Sequence, residues 1–208
     1  VSIALRHAWE ARTGQGLAPR YFDRQLGCAV VKVMPGEYEV GGADLALVTL
    51  LGSCVSACLR DPVAAIGGMN HFMLPQDQRD VEVVANARYG AYAMEVLINE
   101  LLKRGARRER LEAKLFGGAN VIAGMTSQPV GERNLRFALD YLQRESIAVA
   151  ARDLGGQVAR KVAYFVGSGR VLVRHLPVAA TAADLALEQM YGQSLATQPL
   201  AGDVELFD

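Results

Sequence analysis

Three cysteines and three histidines carry most of the reactive chemistry in this sequence: Cys28, Cys54, Cys58, His7, His71 and His175. Cys54 stands apart, because it follows a Gly-Ser break in Thr49-Leu50-Leu51-Gly52-Ser53-Cys54. A thiol just after such a corner can meet backbone N–H groups that no helix or strand has claimed. Those donors favour a thiolate and can also hold an oxyanion. His71 lies in an apolar segment beside a glycine pair, Gly67-Gly68-Met69-Asn70-His71-Phe72-Met73-Leu74-Pro75. An imidazole near the thiol can take its proton and later protonate a leaving amine. Thr49 is a candidate third member. It could orient the ring through its hydroxyl or its backbone carbonyl, and the carbonyl is the expected partner because a strand-end carbonyl commonly holds a catalytic imidazole. Each residue also has a plain reading: Cys54 as a small core residue, His71 as a satisfied buried histidine, Thr49 as a strand residue. Zinc held by Cys54, Cys58 and His71 is a further alternative, short of an obvious fourth ligand.

These side chains need a scaffold, and the chain can supply one. It has 208 residues, 51% hydrophobic and 21% charged, which suits one large domain. Lys plus Arg is 22 and Asp plus Glu is 22, so charge makes no case for nucleic acid or an anionic membrane as the main partner. No uncharged run reaches the about 20 apolar residues of a membrane-spanning helix without a glycine or serine break. With no apolar leader before the charged residues at 6–12 and an odd, low cysteine count, reduced thiols and a cytoplasmic setting are expected.

Strands are expected at 29–34, 45–51, 54–59, 65–69, 114–116, 147–151, 160–166 and 170–176, with Gly167-Ser168-Gly169 making a hairpin between the last two. Helical periodicity predicts helices over 86–104 and 132–145. Strands and helices mix without a βαβ repeat, so the fold class is α+β rather than doubly wound. Residues 1–27 read as an N-terminal extension, 28–178 as the main domain, and 179–208 as a peripheral helix and tail. No phosphate-binding loop, dinucleotide fingerprint, G-x-S-x-G or H-E-x-x-H is present.

TLLGSCVSACLRDP at 49–62 followed by IGGMNHFMLP at 66–75 closely resembles the CheD family, the chemoreceptor glutamine deamidases of bacterial chemotaxis. Tyr89-Gly90 with Ala93-Met94, the KLFGGA run at 114–119, Gly131-Glu132-Arg133-Asn134 and Asp153-Leu154-Gly155-Gly156 continue the likeness in family order, over roughly 29–176. The resemblance implies hydrolysis of receptor glutamine amides to glutamate with release of ammonia, on a mixed β-sandwich with flanking helices similar to the catalytic domain of cytotoxic necrotizing factor toxins. It implies Cys54, His71 and Thr49 as the catalytic residues and no metal or organic cofactor. Ser53 and Gly52 would shape the corner and supply oxyanion donors. Gly117 and Gly118 would line the substrate cleft or simply end a strand, and Asn134 would cap or pin the second helix. Methyl-accepting chemotaxis receptors would be the substrates, and a CheC-type phosphatase is a partner of some members. A non-catalytic adaptor that binds such a phosphatase or a receptor is the competing reading.

Overall fold

A computed structural model describes residues 19–74, 80–121, 130–177 and 182–197. His7 and the tail beyond 197 lie outside the described residues. Among the described residues, ten strands form two five-stranded sheets, accompanied by three α-helices. The strands are β1 (Tyr21–Asp23), β2 (Cys28–Lys32), β3 (Tyr38–Gly41), β4 (Leu45–Leu51), β5 (Val55–Asp61), β6 (Ile66–Asn70), β7 (Glu112–Gly117), β8 (Ala148–Leu154), β9 (Ala159–Phe165) and β10 (Val171–Leu176). The helices are α1 (Asp80–Lys103), α2 (Val130–Arg144) and α3 (Ala182–Thr197). The mixed α+β class expected from the sequence is the class observed.

The first sheet runs β1-β2-β4-β9-β10 and the second β3-β6-β5-β7-β8. Chain order and sheet order are interleaved. Strand β3 leaves the first sheet and β4 returns to it, lying parallel to β2. The chain crosses again between β4 and β5, so Gly52, Ser53 and Cys54 form a loop that switches sheets. Strands β8 and β9 likewise belong to different sheets. The Gly155-Gly156 turn between them is therefore a crossover, with Gly155 at φ 74° and Gly156 at φ 80°. Arg160 fixes that turn by donating to the carbonyls of Asp153 and Gly155 and to the Asp153 carboxylate.

Period-two alternation decides what each strand shows to the core. In β4, Leu45, Leu47 and Leu51 enter the main core, while Ala46 and Val48 join a separate small cluster with Val30 and Ala163 on the opposite face. Thr49 has the parity of the leucines, so a hydroxyl is carried into the apolar layer between the sheets. Helices α1 and α2 pack on the second sheet, α1 against β3, β5 and β6, and α2 against β5, β7 and β8. They bury Ala93, Met94, Leu97, Ile98 and Leu101 from α1 and Ala138, Tyr141 and Leu142 from α2.

The terminal stretches contact the main domain. Strand β1, which precedes Cys28, pairs with β2 and adds an edge to the first sheet. Helix α3 carries a buried carboxylate, that of Glu188.

Asp61, at the end of β5, is fully buried. Its carboxylate accepts from the backbone N–H of Val63 (2.9 Å), Ala64 (3.0 Å) and Arg107 (2.9 Å) and from Arg110 Nε (2.9 Å) and Nη2 (2.7 Å). Burial works against ionisation, but these donors outweigh it and lower the pKa to about 2. A folded-state pKa below the unfolded one stabilises the protein above the unfolded value of about 3.9, and the contribution is lost as pH falls toward about 2. Asp61→Asn should therefore unfold at lower urea concentration than the wild type at pH 7. The gap should close between about pH 4 and about pH 2. An equal gap at both ends of that range would show that the ionised carboxylate is not the source of the stability.

Candidate functional site

The site lies where β4 hands the chain to β5. Cys54 is wholly buried, and its loop is braced from behind. Gly118 N–H donates to the Cys54 carbonyl (2.7 Å) and Ala119 N–H to the Gly52 carbonyl (2.8 Å). Asn134 Nδ2 donates to the Ser53 carbonyl (2.8 Å). With its carbonyls engaged at the back, the loop turns its N–H groups forward. Gly117 and Gly118 have φ of 104° and 68°, and a side chain at Gly117 would run into the Cys54 carbonyl. Both are buried and brace the loop from behind.

His71 follows β6 directly. Its backbone is fixed on both sides, its N–H donating to the Glu37 carbonyl (2.9 Å) and its carbonyl accepting from Gly36 N–H (2.8 Å). The ring is 1% exposed. Thr49 Oγ1 lies 2.7 Å from the Val33 carbonyl and 2.8 Å from His71 Nδ1. A carbonyl can only accept, so the single hydroxyl proton goes to Val33. Oγ1 must then accept from Nδ1–H. This network assigns the tautomer and leaves Nε2 directed at the thiol side of the site. Nε2 has no hydrogen-bond partner among the described residues. The expected carbonyl contact of Thr49 is thus replaced by its hydroxyl, because strand parity turns the side chain, and not the ladder carbonyl, toward the ring.

Asn134 does not sit at the start of α2, which begins at Val130, but inside its second turn, so it does not cap the helix as expected. Its Oδ1 accepts from Leu74 N–H (2.9 Å) while its Nδ2 holds Ser53, so one buried amide ties the cysteine loop to the segment after His71.

A residue absent from the sequence-based list completes the site. Glu188 on α3 is 2% exposed. Its carboxylate accepts from the backbone N–H of Gly52 (2.7 Å) and Ser53 (2.9 Å), with Cys54 N–H at 3.4 Å and Ser53 Oγ at 3.3 Å. Oε1 also lies 3.6 Å from His71 Nε2. Burial pushes its pKa up, but His71 and the two backbone donors outweigh that and leave it lowered. The Cys54 thiol is pushed well up by burial and by the Glu188 charge beside it. Glu188 sits 136 residues from Gly52 in an Ala-rich stretch. The signal that could have found it is an acid in the middle of an otherwise apolar helix stripe, three after Leu185, three before Tyr191 and seven before Leu195.

Donor atoms of Cys54, His71 and Glu188 all lie within 4.8 Å of one another, a set that could hold a metal ion. Cys58, considered as a zinc ligand, is not part of it. Its thiol lies close to Ser56 and Lys114, and burial raises its pKa. His175 is on the surface beside the Asp153 carboxylate (3.1 Å), away from the site.

A buried thiol, an imidazole aimed by a hydroxyl, and converging backbone donors are the equipment of an acyl-transferring cysteine hydrolase. The comparisons with known proteins narrow that class. A sequence profile described as CheD chemotactic sensory transduction matches residues 73–175. The probable chemoreceptor glutamine deamidase CheD 1 of Dechloromonas aromatica is 50% identical over 203 residues, 98% of this chain and 100% of that protein. The probable chemoreceptor glutamine deamidase CheD of Xanthomonas campestris is 53% identical over 189 residues, 91% of this chain and 94% of that one. The chain belongs to the CheD family. A solved Neisseria meningitidis protein of the DUF152 family is 12% identical with a TM-score of 0.40, over 64% of each chain.

Thr49→Val keeps shape and β-branching but removes the acceptor of the His71 Nδ1 proton. Losing that bond should cost about 1–3 kcal/mol, roughly tenfold to a hundredfold in any reaction that cycles through His71. A folded variant with a wild-type rate of amide hydrolysis would mean that the hydroxyl does not position the ring.

Proposed function

We propose that this chain hydrolyses the side-chain amide of specific glutamines in methyl-accepting chemotaxis receptors to glutamate, releasing ammonia. The reading rests on the relatives' activity, over nearly the full chain. One observation supports it from the molecule: backbone N–H groups of consecutive residues converge on the two oxygens of one carboxylate, beside a thiol and an imidazole Nε2.

In this mechanism Cys54 gives its proton to His71 Nε2, and the thiolate attacks the amide carbon. The N–H groups of Gly52, Ser53 and Cys54 hold the resulting oxyanion. Collapse breaks the C–N bond, and His71 returns its proton to the departing ammonia. Water, deprotonated by His71, then attacks the thioester, and the C–S bond breaks to give glutamate and the free thiol. Thr49 keeps Nδ1–H engaged throughout. A glutamyl methyl ester would pass through the same kind of intermediate. No step requires a metal or organic cofactor. The likeness to the catalytic domain of cytotoxic necrotizing factor toxins belongs to the same reading, supported by a thiol and an imidazole set between two sheets. So does a cytoplasmic location, where receptor signalling helices reside; no helix among the described residues is long and apolar enough to cross a membrane. A CheC-type phosphatase remains a proposed partner.

Each turnover replaces an amide by an acid and adds about one dalton to the receptor peptide. Cys54→Ala should remove that gain by several orders of magnitude in rate while costing at most about 1–2 kcal/mol in packing. Mass spectrometry of receptor peptides with wild type and variant checks both. A folded Cys54→Ala protein that still deamidates would reassign the nucleophile. A wild type that binds receptor without converting any glutamine would favour the adaptor reading, and tight stoichiometric zinc would favour a metal site.

A further inference from the structure

Glu188 is chemically the product of the proposed reaction, a glutamate side chain, and it is delivered by a helix. Its carboxylate takes the N–H donors of Gly52 and Ser53 that the oxyanion would need, and it stands against Cys54 and His71 Nε2. The helix is seated by more than this one group. Leu185, one turn before, packs on Gly52 so closely that a Cβ there would meet it. Tyr191, one turn after, lies over Gly36, and its hydroxyl bonds the hydroxyl of Tyr89. Asp184 pairs with Lys32 at 3.2 Å. The outward positions Leu187 and Met190 remain exposed. With α3 in this position Cys54 is 0% and His71 1% exposed, so no receptor side chain can reach the sulfur. The same carboxylate also disfavours the thiolate, adding to the effect of burial.

We propose that α3 occupies the groove that receives the substrate helix, with Glu188 standing where the substrate glutamine side chain enters, so that α3 is a built-in product analogue that must leave before a receptor binds. The surface then fits a partner of stated chemistry: a helix presenting a glutamine with an apolar residue three positions before it and a large apolar or aromatic residue three after. This rests on the deamidase reading and adds to it the shape of the substrate and the way access is controlled. It also makes a chemical demand on the chain itself. A glutamine at position 188 would place its amide carbon before Cys54, and the chain would become its own substrate. The Cys54 thiolate would displace ammonia from that introduced side chain, and water would open the internal thioester to restore glutamate.

The experiment uses the full-length chain. Glu188→Gln, Glu188→Gln with Cys54→Ala, Glu188→Ala and Leu185→Ala are purified, checked for folding by circular dichroism, and assayed on receptor glutamines beside the wild type. In the Glu188→Gln protein, the introduced glutamine should be recovered as glutamate, about one dalton heavier, or as a thioester to Cys54. In the double variant, with alanine in place of Cys54, it should stay glutamine. Glu188→Ala should deamidate receptors, and react with iodoacetamide at Cys54, about tenfold or more faster than wild type, because the competent state is no longer a minor one. Leu185→Ala should shift both rates the same way without touching the carboxylate. A glutamine that persists at position 188 in a preparation that deamidates receptors overturns the proposal and leaves the deamidase reading intact. A slower Glu188→Ala enzyme also overturns it, by making Glu188 part of the catalytic machinery. If neither the introduced glutamine nor any receptor glutamine is converted by any of these proteins, the deamidase reading and the proposal fall together.

Discussion

Three successive backbone N–H groups, at Gly52, Ser53 and Cys54, face one buried carboxylate, the first on Oε1 and the other two on Oε2, and a buried donor without an acceptor is costly. Most of the site can be understood as the answer to that constraint. The loop carbonyls must be held elsewhere, and Gly118, Ala119 and Asn134 hold them. The glycines at 117 and 118 are there because only a chain without side chains can bend so close behind the cysteine. What fills the forward side must accept hydrogen bonds, and a negative charge does so best. In the state seen here it is Glu188, whose burial is tolerable only because it is so well hydrogen-bonded. In the proposed reaction it is the charge that develops on the amide oxygen.

The placement of His71 follows a second constraint, the single proton of a hydroxyl. The Thr49 hydroxyl donates that proton to Val33, so the ring can only donate to it from Nδ1, and Nε2 is left for the proton transfer of the proposed reaction. The ring orientation is therefore set by a main-chain carbonyl two hydrogen bonds away, through a side chain that strand alternation turned inward.

Much of this is legible in the residues. Cys54, His71 and Thr49 fall within 23 residues of sequence, so a local reading can group them. The longer strands and α2 lie within a few residues of their expected bounds, because five to fifteen residues are enough for a period to show. The rest is hidden for identifiable reasons. Strands β1 and β3 have three and four residues, too few for alternation to register. Helix α1 begins before its expected start, since Asp80-Val81-Glu82-Val83-Val84 alternates and is β-branched in the manner of a strand. The choice between the Thr49 hydroxyl and carbonyl depends on which face of β4 meets His71, and that is a property of the other sheet. Glu188 escapes a sequence reading because its partners are more than 110 residues away, and a lone acid on an Ala-rich helix reads as solvent-facing.

The crossing of β4 into β5 has a wider consequence. Thr49 belongs to one sheet, while Cys54 leads into the other and His71 leaves it. The proposed proton path is therefore strung across a seam, and its length depends on the core side chains there, among them Val33, Leu47, Leu51 and Tyr164. These side chains are buried, and they act as the spacer of the site. A methylene gained or lost among them changes the gap between a hydroxyl and a ring whose bond tolerates only a few tenths of an ångström. Selection on the chemistry is then also selection on hydrocarbon volume, and the apolar interior of this protein is held to a tolerance that stability alone would not impose.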